Sequence, residues 1–103
     1  MPTPFVIVWR YRVALDHRTE FEAAYGASGP WVQLFERSRH YLGTDLVVGE
    51  QGDYLTIDRW DSEDEATAFL TANRAEYDEI ESRCADLTET EDLVLRGTMV
   101  SQH

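Results

Sequence analysis

Two groups of residues in this chain are equipped for chemistry. The first is polar: His40, and the neighbouring pair Asp58 and Arg59. An imidazole titrates near neutral pH, so His40, just ahead of a candidate strand, is either a proton carrier at a pocket rim or an ordinary surface residue. Asp58 and Arg59 read as catalytic charges or as structural ones. The second group is aromatic: Trp9, Tyr25, Trp31, Phe35 and Trp60. Aromatic walls with a few polar groups suit a small-molecule pocket, and a planar aromatic ligand in particular, through stacking. The competing reading is that three tryptophans among nine other aromatic residues are simply the core of a small domain. Cys84 and Tyr77 lie on an apolar helical stripe and read as packing.

The stretch AYGASGPWVQLF, Ala24 to Phe35, interrupts a helical pattern with two glycines and a proline. Ser28 or Gly29 can cap a second helical piece, and Pro30 suits its first turn, where no N–H is required. Two readings follow. The break is the mouth of a pocket with Trp31 on its rim or wall, or it only lets the helix bend around a sheet.

Length and composition bound the rest. With 103 residues the chain is a single domain, residues 1–103, long enough for one core. A net charge of −11, with all nine basic residues arginine, argues against a nucleic-acid partner. No apolar run approaches the ~20 residues of a membrane span. Met1-Pro2-Thr3-Pro4 lacks the basic start of a signal peptide, and one cysteine allows no internal disulfide, so the expected place is the cytoplasm. Three histidines without a CxxC or HExxH pattern, and no Gly-rich phosphate loop, predict no metal and no cofactor.

The elements that must hold these residues follow from periodicity. Phe5 to Val13 reads as a strand, and Asp16 offers an N-cap to a helix carrying Phe21, Ala24 and Tyr25 on one face. Tyr41–Val48 and Tyr54–Trp60 form a hairpin across the turn at residues 49–53. Ser62 with Glu65 makes a capping box for a long helix with inward Ala66, Phe69, Tyr77, Ile80, Cys84 and Leu87, kinked at Asn73. A last strand spans Leu93 to Val100. The order βαββαβ predicts an α+β, ferredoxin-like sandwich with a four-stranded antiparallel sheet.

Helices cover one face of such a sheet. Both parities of its strands carry apolar residues, so the other face calls for a second sheet. The chain is therefore expected to pack on itself, sheet to sheet, as a homodimer. Arg10, Asp58 and Arg96 are expected to form a polar cluster on one face, at that interface.

The strand FVIVWRYRV, the hairpin strands HYLGTDLVV and YLTIDRW, and the helix start SEDEATAFL resemble the antibiotic-biosynthesis monooxygenase (ABM) family. The junction Asp58, Trp60, Ser62-Glu63 carries the likeness most clearly, and YGASGPW followed by YLGT looks like one branch. The resemblance implies a dimeric α+β barrel with a small-molecule pocket between each sheet and its own helices. It implies a cofactor-free monooxygenase acting on a polyketide- or quinone-like aromatic molecule, as in antibiotic biosynthesis. Haem degradation is not implied, because the only asparagine is Asn73 and no histidine falls inside a helix. Under that reading His40 or Asp58 is the base, Arg59 or Tyr25 stabilises the anion, and Trp9, Trp31 and Trp60 are walls, with Tyr25 and Phe35 beside them. Whether the protein is an enzyme stays open. The alternative is a non-catalytic binder or a structural homodimer of the same fold.

Overall fold

The computed structural model describes residues 3–102. Met1 and Pro2, the start of the segment read for a leader, and His103, one of the three histidines, lie outside the described residues.

Eight residues of mostly β-branched and aromatic type form β1, Phe5–Arg12. A single 3₁₀ turn, Leu15–His17, leads into α1, Arg18–Tyr25, and α2 follows at Pro30–Phe35. The hairpin is β2, Tyr41–Val48, and β3, Tyr54–Trp60. Helices α3, Glu63–Ala72, and α4, Arg74–Cys84, are split at Asn73. A second 3₁₀ turn, Ala85–Leu87, precedes β4, Thr90–Thr98. The sheet order is β2-β3-β1-β4, with every pairing antiparallel. This is the expected α+β, ferredoxin-like arrangement.

Local chemistry explains several boundaries. The Ser62 hydroxyl accepts a hydrogen bond from the Glu65 backbone N–H at 3.2 Å, and three acidic residues occupy the first turn of α3. At the split, Asn73 Nδ2 donates to the Phe69 carbonyl at 2.9 Å, which competes with helix continuation. Asp16 does not cap α1. It sits inside the 3₁₀ turn, and His17 holds the capping position without a side-chain hydrogen bond.

The turn at residues 26–29 is closed by Gly29 N–H donating to the Gly26 carbonyl at 3.0 Å. Gly29 then starts α2, with Pro30 in its first turn. A Cβ on Gly29 would stand 2.0 Å from the Ala24 carbonyl oxygen. Glycine is needed there for close approach of the two helical pieces. At Gly43 the reason is conformational: φ is +133°, and the pairing of β2 with β3 shifts register between Tyr41 and Gly43.

Register sorts the sheet faces. Opposite pairs Phe5 and Trp60, Trp9 and Thr56, and Tyr11 and Tyr54 share the helix-covered face with Asp58. Phe5, Ile7, Tyr11, Phe21, Tyr25, Trp31, Tyr54 and Trp60 belong to the core beneath the helices. The other face carries Val8, Ile57 and Leu95 side by side across three strands. The expected cluster of Arg10, Asp58 and Arg96 does not form. Arg10 pairs with Leu55 and so lies on the open face, whereas Asp58 and Arg96 flank Ile7 on the helix side. Arg96 instead stacks over Phe5 at 5.4 Å and faces Glu63 at 3.7 Å.

Candidate functional site

Between the sheet and the helices lies a narrow hollow. The sheet supplies Trp9, Tyr11, Thr44, Thr56, Asp58 and Glu91, and the helices supply Tyr25, Trp31, Val32, Phe35 and Tyr77. Its free volume is about 30 Å³, room for roughly two water molecules. A ring-sized ligand enters only as lining side chains move. Trp9 and Tyr77 are partly exposed, and Glu91 is exposed at the rim. Wider depressions exist, such as one of about 540 Å³ beside Leu15 and Glu50, but they are open surface lined mostly by polar residues.

Asp58 is the group in the hollow that is most out of place. It sits mid-strand on the core side of β3. Its one hydrogen-bond partner among the described residues is Thr44, whose hydroxyl donates to Oδ1 at 2.6 Å. Tyr41 in turn bonds to the Thr44 hydroxyl. Desolvation pushes the Asp58 carboxyl up from 3.8 to about 6, against the Thr44 hydrogen bond and the Arg59 charge, which both pull it down. Its value thus lies in the range useful for proton transfer near neutral pH.

The aromatic walls are packed on one another. Trp31 meets Tyr77 edge-on with ring centres 4.9 Å apart, and lies 5.9 Å from Tyr25 and 6.2 Å from Phe35. Its indole N–H is buried and has no partner within hydrogen-bond geometry, although it lies near enough to Tyr25 and Cys84 to hold both their pKa values down. Burial nevertheless drives the Tyr25 and Tyr11 hydroxyls far up, so both stay protonated and can donate. Tyr11 and Thr56 share a hydrogen bond of 3.0 Å on the floor. Burial likewise pushes Tyr77 up to about 12.

Of the residues singled out from sequence, Trp9, Tyr25, Trp31, Phe35 and Asp58 line the hollow together. The other three do not. His40 lies outside it, between two carboxylates: Nδ1 is 3.0 Å from Asp61 and Nε2 is 3.1 Å from Glu65. It ties the start of β2 to the start of α3. Arg59 follows Asp58 in the strand and therefore points to the opposite sheet face, where it pairs with Asp45 at 2.5 Å. Trp60 is fully buried against Phe35, Tyr41 and Phe69, behind the hollow's wall. The glycine turn is not the mouth either. None of residues 26–30 lines the hollow, and Trp31 is a buried wall rather than a rim.

Sequence reasoning missed Tyr11, Val32, Thr44, Thr56 and Glu91 as lining groups, and it read Tyr77 as packing alone. Strand parity already grouped Tyr11 with Trp9, and Thr56 with Asp58. It could not say which parity faces the helices. Among the described residues, no three His, Cys, Asp or Glu side chains converge as a metal-ligating group. No helix among them is long and apolar enough to cross a membrane.

No protein-family model and no curated protein matches the chain. Solved structures do. A Nitrosomonas europaea protein provisionally named an antibiotic biosynthesis monooxygenase superposes with a TM-score of 0.69 at 15% identity, covering 100% of this chain and 97% of its own. A Bordetella bronchiseptica protein with the same provisional name gives 0.71 at 16% identity, covering 96% and 99%. A dimeric ferredoxin-like protein from an uncultured marine organism gives 0.67 at 11% identity, covering 98% and 91%. The likeness is therefore one of fold: the chain is a ferredoxin-like α+β sandwich of the kind solved for proteins carrying the antibiotic biosynthesis monooxygenase name.

Proposed function

We propose that the hollow binds a small planar aromatic molecule and that Asp58 removes a proton from it, so that the electron-rich anion reacts directly with O₂. The observation that carries this reading is a desolvated carboxylate, with no salt bridge to it among the described residues, at the floor of an aromatic-lined hollow. The provisional names of the fold relatives point the same way.

An anthrone-type substrate shows how the step balances. Asp58 takes a proton from the ring CH₂, and the carbanion adds O₂ to give a peroxide anion, which Asp58 reprotonates. Asp58 then removes the second C–H proton while the O–O bond breaks. Hydroxide leaves with that proton as water, and the carbon becomes a carbonyl. One oxygen atom enters the product, and the substrate supplies all the electrons. In this reading neutral Tyr25, held protonated by burial and lining the same hollow, donates to the developing anion.

A second reading rests on the hollow's size. About 30 Å³ in the resting structure suits a protein whose rings fill its own interior, a non-catalytic homodimer. In both readings we propose pairing of two copies through the open sheet face. Val47 and Leu95 there are 44% and 54% exposed in the isolated chain, more than a stable monomer need leave bare. Light scattering at micromolar concentration should give twice the chain mass, and Leu95→Asp should give the chain mass.

Oxygen uptake with anthrone tests the chemistry. The protein should accelerate uptake above the spontaneous rate, with a pH dependence rising through about 6. Asp58→Asn should lose roughly 10²- to 10⁴-fold of that acceleration, the usual share of a general base. Saturable binding without accelerated uptake would leave the non-catalytic reading standing.

A further inference from the structure

We infer that Glu91 is a specificity-determining residue, which rejects anionic ligands from the hollow and anchors the far end of an uncharged one through a hydrogen-bond donor. The inference rests on the proposed binding role of the hollow and goes beyond it.

Among the lining residues the only charged side chains are two carboxylates, Asp58 and Glu91. No arginine answers them. Arg59 points across the sheet to Asp45, and Arg96 is engaged with Glu63 and Phe5. An incoming carboxylate or sulfonate would meet negative charge at both ends of the hollow, desolvated at Asp58 and exposed at Glu91, in a chain whose net charge is already −11.

The two carboxylates are also well separated. Asp58 stands opposite Ile7 on β3, and Glu91 stands opposite Tyr11 on β4. Four residues along β1 and two strand spacings across it put their backbones about 16 Å apart. The hollow thus runs diagonally over Trp9 and Tyr11. Asp58 already accepts from Thr44. Glu91 has no hydrogen bond or ion pair among the described residues, and desolvation with the nearby Glu81 charge raises its pKa. It is an unspent acceptor at the rim, placed to take an O–H or N–H from the end of a ligand whose other end reaches Asp58.

The test is a fluorescence titration of the intact protein at pH 7, read through Trp9 and Trp31, with three probes on one ring system: 2-hydroxyanthracene, 2,6-dihydroxyanthracene and anthracene-2-carboxylate. The dihydroxy probe should bind roughly ten- to a hundredfold tighter than the monohydroxy probe, the value of one hydrogen bond to a charged acceptor. Glu91→Ala, at an exposed rim position, should abolish that gain, so that the two phenols bind alike. The carboxylate should bind at least tenfold more weakly than the monohydroxy probe and recover in part in Glu91→Gln, where Asp58 remains. An equal gain in Glu91→Ala, or a carboxylate that binds as well as the phenol, overturns the role of Glu91 alone. Absence of saturable binding by the monohydroxy probe overturns the binding role of the hollow as well.

Discussion

Replacing Asp58 by asparagine should make the protein more stable at pH 8 while removing the proposed base. In the folded chain the carboxyl is pushed from 3.8 to about 6, chiefly by desolvation. That gap, at about 1.4 kcal/mol per pH unit, is about 3 kcal/mol. The sign follows from proton binding. Between the two values the folded state holds a proton that the unfolded state has lost, so stability falls as pH rises through this window. The favourable contribution of the neutral acid is complete below about 4 and gone above about 6. Asparagine stays neutral throughout, and its amide oxygen can still accept from Thr44. The two proteins should therefore have equal stability at pH 4, diverge up to pH 6 or 7, and then run parallel. Urea melts across pH 4–8 measure this. The mutant comparison cancels the repulsion of the other acidic groups, which also grows with pH. Thr44→Val should widen the gap, because it removes the hydrogen bond that holds the pKa down. Curves that coincide at pH 8, or an asparagine variant that is less stable there, would show Asp58 to be well solvated or paired and would remove the basis for its role as a base.

Gly29→Ala should cost several kcal/mol or prevent folding, because its Cβ would overlap the Ala24 carbonyl oxygen at 2.0 Å; thermal melts decide it. Trp31→Ala should cost ~3–5 kcal/mol by urea melt and weaken ligand quenching as well, since the ring is both core and wall. Trp31→Phe should cost less, because it removes an indole N–H that has no hydrogen-bond partner. Ser62→Ala should cost about 1 kcal/mol through loss of the α3 cap, with no change in ligand affinity.

What the sequence could and could not reveal follows the range of each interaction. The hairpin strands Tyr41–Val48 and Tyr54–Trp60 have their expected bounds, and the helix divides at Asn73, because turn residues, alternation and side-chain competition act within a few positions. Asp16 fails as a cap for an equally local reason: the chain takes a 3₁₀ turn there first. The errors of sheet face and register lie between strands. Alternation correctly separates Asp58 from Arg59, yet it leaves open whether Arg10 of β1 shares a face with one or the other. The register, Arg10 opposite Leu55, decides that, and it dissolves the expected polar cluster. The start of β4 is a second case. Glu91 and Asp92 are poor strand formers on composition, and with Thr90 they extend because β1 offers partners at Arg12, Tyr11 and Arg10. The skipped pairing between Val8 and Trp9 then puts Leu93, with Glu91, on the helix side while Leu95 stays on the open side. Glu91 thus reaches the hollow by tertiary pairing, without a local pattern to announce it. The same logic explains why the aromatic residues were easier to find than the polar ones. A tryptophan is drawn to the interior from almost any register, whereas a carboxylate becomes a candidate base only on the one face where water is scarce.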